Sequence, residues 1–212
     1  MYLPSHFAET RTEVLHDLIR AHPLAALVTL DSNGLNANHM PFEIESDPAP
    51  FGTLIGHVAR ANPVWQDFSK EVEALLIFQG AQRYITPSWY VTKQENAKVV
   101  PTYNYAVVHA CGPLRIIEDR AWLRALVERL TNRYEAAMPQ PWKVTDAPDE
   151  YIEKMLGAIV GIEIPITRLV GKWKVSQNRT ATDREAVVKG LQNSYDADAG
   201  VMANLVKEFA KP

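Results

Sequence analysis

Between residues 10 and 20 the apolar positions Val14, Leu15, Leu18 and Ile19 recur at the three- and four-residue spacing of a helix with one wet face. Pro23 ends that pattern, and the period then shortens to that of strands. Residues 24–30 read as a short apolar strand. Asp31-Ser32-Asn33-Gly34 is a turn signal, because Asn-Gly accepts positive φ, and residues 35–44 resume as the second strand of a hairpin. After the proline-containing loop 47–52, residues 53–58 form a third strand, and 63–70 predict a short helix. Residues 73–78 are a fourth strand, Gln79-Gly80 predicts a turn, and 83–86 begin another strand. The stretch 87–100 is aromatic but aperiodic and predicts a loop or broken strand. Residues 102–117, rich in β-branched and aromatic side chains, predict one bent strand with a bulge at Gly112. Leu123, Leu126, Val127 and Leu130 mark a helix over 120–137, and 150–156 continue helical. Residues 159–173 are a last strand region, with Pro165 at an edge or bulge. Two terminal helices follow, 182–192 and 199–210.

This order is mainly β with peripheral helices. Short hairpins without a repeated β-α-β alternation point to an antiparallel barrel with helices packed outside it. No Gly-x-Gly-x-x-Gly and no Walker loop occur, which argues against a doubly wound nucleotide fold.

The 212 residues, 47% hydrophobic and 22% charged, suffice for one sizeable core. A formal net charge of −3 and the lack of a basic block leave little non-specific attraction to nucleic acid. Cys111 is the single cysteine, so neither an internal disulfide nor a thiolate cluster can form, and Val107, Val108 and Ala110 beside it predict a buried, unreactive thiol. The six histidines are scattered and no carboxylate motif joins them, so no metal site is expected. No signal-peptide pattern and no apolar run of membrane-spanning length stand out, and the expected location is cytoplasmic.

Four stretches carry more polar and aromatic groups than packing needs. They are Asn38-His39-Met40-Pro41-Phe42-Glu43; Gly56-His57-Val58-Ala59-Arg60-Ala61-Asn62-Pro63; Tyr84 to Tyr90 with Val100 to Tyr105; and Lys172-Trp173-Lys174-Val175-Ser176-Gln177-Asn178-Arg179. Singly, each has an ordinary role: a barrel-end histidine, an ion pair and a helix cap, aromatic packing, a solvated basic face. Together Arg60, Ser88, Lys172 and Arg179 supply phosphate donors, and Thr86, Asn104 and Gln177 supply amides and a hydroxyl for a heterocycle edge. Trp89 and Tyr103 supply flat walls. That is the inventory of a site for a phosphorylated aromatic cofactor.

The chain also resembles the PaiB-type FMN-binding negative transcriptional regulators. The motifs that carry the resemblance are Met1-Tyr2-x-Pro4-x-His6-Phe7, His39-x-Pro41-Phe42, Gly56 to Pro63, Tyr84-Ile85-Thr86-Pro87-Ser88-Trp89-Tyr90, Val100 to Tyr105 and Ser176-Gln177-Asn178-Arg179. They cover residues 1 to about 190. Tyr103 stands where that family usually has Trp, and Trp173-Lys174-Val175 where aromatic-Lys-Leu is more usual. The resemblance implies the FMN-binding split barrel of flavin reductases and pyridoxamine-phosphate oxidases, over residues 1–180. A helical insertion falls at about 119–156, and helices 181–212 pack on the barrel. It implies FMN as cofactor, with Arg60 gripping the phosphate, and a homodimer with flavin at the subunit interface. It carries over His39, Pro41, His57, Arg60, Thr86, Ser88, Trp89, Thr102, Asn104, Lys172, Gln177 and Arg179 as cofactor-binding candidates.

Trp89, Tyr90, Tyr103 and Tyr105 are more aromatic surface than one small barrel needs, which also predicts a dimer. Repression implies a promoter-DNA partner, yet the basic supply for one is thin: Arg184, Lys189, Lys207 and Lys211 on or beside the terminal helices. The bland alternative is that Val187, Val188, Leu191, Val201, Leu205 and Phe209 merely pack those helices down. The competing function is an FMN-dependent oxidoreductase of the flavin-reductase or oxidase kind, acting on a small molecule, with His39, Tyr84 or His109 as a proton donor.

Overall fold

The Asn33-Gly34 turn closes a hairpin in which Leu24 faces Pro41 and Asp31 faces Gly34, and Gly34 takes φ +119°, a value open to glycine alone. The computed structural model describes residues 1–194 and 196–209, apart from the side chains of Asn96 and Ala197. Its strands are β1 (Ala8–Glu9), β2 (Leu24–Asp31), β3 (Gly34–Glu45), β4 (Thr53–Ala59), β5 (Ala74–Ile85), β6 (Thr102–Gly112), β7 (Arg115–Ile117), β8 (Ile159–Pro165) and β9 (Arg168–Lys174). Its helices are α1 (Thr12–Ala21), α2 (Thr92–Asn96), α3 (Arg120–Glu135), α4 (Asp149–Gly157), α5 (Ala181–Gln192) and α6 (Ala197–Glu208). The strands form a nine-stranded sheet in the order β1-β9-β6-β5-β2-β3-β4-β8-β7. Pairing is antiparallel between β2 and β3, β2 and β5, β3 and β4, β4 and β8, β7 and β8, and β1 and β9.

The chain divides into two compact units, and β5 and β6 contribute residues to both. The first comprises Met1–Leu18, Gln79–Val108 and Val170–Pro212; the second comprises Ile19–Phe78 and His109–Leu169. In the second unit β2 buries alternate residues, Ala25, Leu27 and Thr29, the period-2 signature of a half-buried strand. The helical insertion belongs to this unit and carries its own small core: Leu123, Val144, Ile152 and Leu156, with Trp122, Val127, Ala147 and Ile159 packed on it. A Cβ on Gly161 would meet the Trp122 ring at 2.4 Å, so glycine lets the helix settle on β8. In the first unit Leu15 of α1 lies against Gly171, Trp173 stacks on Phe209 at 5.9 Å, and Val187, Leu191, Met202 and Val206 are buried.

Several expectations need correction. Gln79-Gly80 does not turn: β5 runs straight through, and Gly80 instead admits Leu18 and Ala106, which a Cβ would meet at 3.0 and 3.5 Å. Residues 63–70 form only a 3-10 turn, Pro63–Trp65, because Ser69 N–H donates to Leu30 O and Asp67 accepts from Ser32, drawing the chain off a helical path. The stretch 87–100 holds a 3-10 turn, Pro87–Trp89, and the short α2. The long bent strand is two strands, since Gly112 lies so close to Pro165 O that a Cβ would stand 2.1 Å away, and Pro113 has no N–H to continue the ladder. Residues 159–173 are likewise two strands, β8 and β9. On α6 the phase is shifted by a residue: Val201 is exposed, and Met202, Ala203 and Val206 face inward. The expected helix end at Ala210, and Lys211, lie outside the described residues.

Candidate functional site

The candidate residues fall in both units. His39, Pro41, His57 and Arg60 belong to the second; Thr86, Ser88, Trp89, Thr102, Asn104, Lys172, Gln177 and Arg179 belong to the first.

In the second unit β4 delivers Arg60 to the turn before Pro63, where the Asn62 side chain caps the 3-10 turn by accepting from Val64 N–H. The Arg60 guanidinium is engaged by protein acceptors. Nε donates to Gly157 O at 3.0 Å, Nη2 to Ile159 O at 3.4 Å and Nη1 to Glu118 Oε1 at 2.7 Å. It also lies over the Trp65 ring, 5.3 Å from its centroid, and that indole donates to Arg60 O. Arg60 thereby ties β4 to the end of α4 and to the segment before α3. His39 and Pro41 are exposed on β3. His57 is half-buried on β4; its Nδ1 is enclosed without a hydrogen-bond partner, and burial holds its pKa below the ordinary histidine value.

In the first unit β9 runs into a tight turn. Lys172 and Lys174, two residues apart on a strand, share a face. After them the backbone folds back at Ser176, whose φ of +70° is a left-handed value that a non-glycine residue holds only under constraint. The constraint is visible. Ser176 is buried, and its Oγ accepts from the buried amide of Asn104 on β6 at 2.9 Å. Gln177 closes the turn on itself: Oε1 accepts from Val175 N–H at 2.8 Å and Nε2 donates to Trp173 O. Arg179 N–H donates to Ser176 O at 3.0 Å. The Arg179 guanidinium then lies 4.6 Å from the centroid of the buried Tyr90 ring. Burial pushes the Tyr90 phenol up, against the pull of Arg179's charge.

Lys174 Nζ donates to Thr102 Oγ1 and, at 2.7 Å, to Tyr103 O. Burial, then the charges of Lys172 and Arg179, hold its pKa below 10.5. Lys172 is buried; its Nζ donates to Tyr2 O at 3.0 Å and lies 5.7 and 5.3 Å from the Tyr2 and Tyr105 ring centroids. Among the described residues no carboxylate oxygen lies within 4.0 Å of Lys172, Lys174 or Arg179. The nearby carboxylate of Asp183 accepts from Thr92 N–H and Oγ1 at 3.1 and 2.7 Å, and it also feels the charge of Arg179 without a direct ion pair. Thr86 caps the Pro87–Trp89 turn by accepting from Ser88 N–H, Ser88 is exposed, and the half-buried Trp89 ring rests on Gly190.

So the first unit gathers three cations whose direct partners are neutral oxygens and ring faces, with the Asp183 carboxylate acting on Arg179 at longer range. Such a donor set fits the phosphate end of a flavin mononucleotide. The expected aromatic excess divides as well. Tyr90 is used internally, whereas Tyr84 and Tyr103 are exposed and meet edge to face at 5.8 Å. Residue types alone did not single out Tyr2, Lys174 or Ser176 as site residues. The Lys-x-Lys alternation on a strand was the available signal for Lys174. Among the described residues no group of His, Cys, Asp and Glu could hold a metal ion, and no helix is long and apolar enough to cross a membrane.

Comparison with known proteins bears on the family and the fold. The family model described as "Putative FMN-binding domain" matches residues 1–168. A protein of Emericella nidulans with no assigned role is 34% identical over 98% of this chain and 97% of its own length. The "Protease synthase and sporulation protein PAI 2" of Bacillus subtilis is 31% identical over 100% and 99%. Among solved structures, a FAD and heme binding protein of Mycobacterium smegmatis aligns with TM-score 0.55 at 16% identity, over 79% of this chain and 73% of that one. The flavocytochrome Anf3 of Azotobacter vinelandii aligns with TM-score 0.55 at 16% identity, over 79% and 69%.

Proposed function

Because this chain belongs to the FMN-binding-domain family that its residues 1–168 match, and so has FMN as its cofactor on the split-barrel fold, we propose that the flavin's phosphate is held by Lys172, Lys174 and Arg179. The observation that carries this reading is the surplus positive charge: Lys172, Lys174 and Arg179 cluster at the end of β9, their hydrogen-bond and ring partners are neutral, and the one carboxylate near them, Asp183, acts on Arg179 alone. A phosphate dianion supplies what they lack, through charge-assisted hydrogen bonds about twice as strong as neutral ones. Ser176 and Asn104 preorganise the turn, and Gln177 keeps Arg179 in place by fixing the backbone before it. The same reading keeps His39, Pro41, His57, Thr86, Ser88, Trp89 and Thr102 as flavin-contacting candidates. Arg60 stays a candidate beside them, with three of its five N–H groups already donated to Glu118 and two carbonyls.

For the role of the complex, the full-length similarity to the Bacillus protein supports a PaiB-type negative regulator in which FMN is a sensed ligand. When bound, FMN can also accept or donate one or two electrons. The similarity in fold to a FAD and heme binding protein and a flavocytochrome supports the second reading, an oxidoreductase. The exposed Tyr84–Tyr103 pair supports a homodimer with flavin at the subunit interface.

Three measurements test this. Chromatography of the flavin released on denaturation is expected to give FMN; FAD, or no uptake of added FMN, overturns the cofactor reading. Promoter binding at stated salt, with and without FMN, is expected to differ; flavin bleaching by reduced nicotinamide without any DNA shift would favour the oxidoreductase. Light scattering is expected to give twice the chain mass, and a value near 23.8 kDa overturns the dimer.

A further inference from the structure

The Met1-Tyr2-x-Pro4-x-His6-Phe7 motif supplies no cation to the phosphate site, yet its Tyr2 touches the site's most enclosed one. Phe7 is buried and anchors the segment just before β1, where Ala8 pairs with Lys172. Ahead of that anchor residues 1–4 hold no helix or strand, and Tyr2 is 83% exposed. Yet Tyr2 O accepts from Lys172 Nζ at 3.0 Å and the Tyr2 ring caps the same ammonium. The Tyr105 ring covers another side, and only 7% of Lys172 is accessible.

We propose that residues 1–4 are a strap that occupies the anion site with its own backbone oxygen: Tyr2 O sits on Lys172 where a phosphate-monoester oxygen binds, and the ligand must displace it. This rests on the phosphate reading above. The chemistry favours exchange. A neutral carbonyl is a weaker partner for a buried ammonium than a phosphate dianion, and Lys174 and Arg179 beside it gain from the dianion as well. With Tyr2 O on one of its N–H groups, two rings beside it and only 7% of Lys172 accessible, a phosphate oxygen that reaches Nζ competes with Tyr2 for it. The strap is therefore ligand-gated: closed over Lys172 in the free protein, released in the bound one.

The test compares FMN with riboflavin, which lacks the phosphate, on the full chain and on a chain lacking residues 2–4. Deletion is expected to tighten FMN binding about three- to tenfold, the fold-change left when one competing hydrogen bond is removed, and to leave riboflavin unchanged. Weaker FMN binding, or equal changes for both ligands, overturns the strap. A second measurement keeps the full chain: chymotryptic cleavage after Tyr2 is expected to quicken with FMN and with millimolar inorganic phosphate but not with riboflavin. Cleavage indifferent to both phosphates also overturns it. Lys172→Met in the full chain separates the two ideas: if the FMN-to-riboflavin affinity ratio survives that change, the phosphate assignment itself is wrong.

Discussion

Arg60, the expected grip on the flavin phosphate, and the Lys172–Arg179 turn, which supplies further donors, differ in one respect of their surroundings. Arg60 is ringed by acceptors, one of them a full carboxylate; the three cations of the turn are ringed by neutral oxygens, aromatic faces and each other. A cation paired with a carboxylate and two carbonyls serves first as a strut. A cluster of three cations with one carboxylate near a single member carries surplus positive charge that an arriving anion relieves. The type of residue is the same in both places. What decides its use is the sign of its neighbours.

The sharpest break of this comparison is at Lys174 and Arg179. Lys174→Ala or Arg179→Ala is expected to weaken FMN binding by about 1.5–3 kcal/mol each, roughly 10- to 150-fold in Kd, with riboflavin little affected. Calorimetric titration of both ligands checks it, and an equal loss for riboflavin would mean the turn holds the ring instead.

Next is the packing behind the turn. Gly190→Ala places a Cβ 2.4 Å from the Trp89 ring and is expected to cost on the order of 1–3 kcal/mol in thermal unfolding. Gly200→Ala on the same pair of terminal helices meets nothing within 4 Å and is expected to gain about 0.5–1 kcal/mol. A Gly190→Ala protein as stable as the parent would mean Trp89 is free to leave its seat.

Arg60→Ala comes third. As a strut it is expected to lower unfolding stability by about 1 kcal/mol, since its ion pair with Glu118 is half-exposed, and to shift FMN affinity by less than about 0.5 kcal/mol. Denaturant midpoints and titration read the two separately. A tenfold loss of FMN affinity would restore Arg60 as the phosphate grip.

The smallest effect is on pH. Burial first, then Lys172 and Arg179, depress the Lys174 pKa in the free protein; a bound phosphate favours the charged amine and raises it again. Binding therefore takes up a proton between the two values, and FMN affinity is expected to start falling below pH 10.5 as pH rises through the depressed one. Riboflavin affinity should stay flat across the same range.

Much of the fold was legible because each signal was local. The Asn33-Gly34 hairpin, the helical period of α1 and the terminal helix expected over 182–192, found as Ala181–Gln192, follow from turn chemistry and spacing. The failures have a common cause. Gly80 reads as part of a turn and Gly112 as a bulge, but both serve close approach, to Ala106 and to Pro165, partners far away in sequence. At the site, the residue types of the last stretch point to phosphate donors, and the phosphate site proposed above is built on that stretch. The sequence could not show that Glu118, some 58 positions on, completes Arg60, or that Tyr2, 170 positions back, sits on Lys172.

Cys111 bears on how these experiments can be done. The thiol is buried, and burial pushes its pKa up, so the thiolate that reacts with maleimides is scarce at neutral pH despite Arg168 Nη2 at 3.1 Å. The chain thus carries no fast-reacting thiol of its own. A cysteine introduced at exposed Tyr2 or Leu35 would be the one site that a dye or spin label attacks quickly, with no need to remove the native residue first. Distance spectroscopy between two such positions becomes available on an otherwise unaltered background.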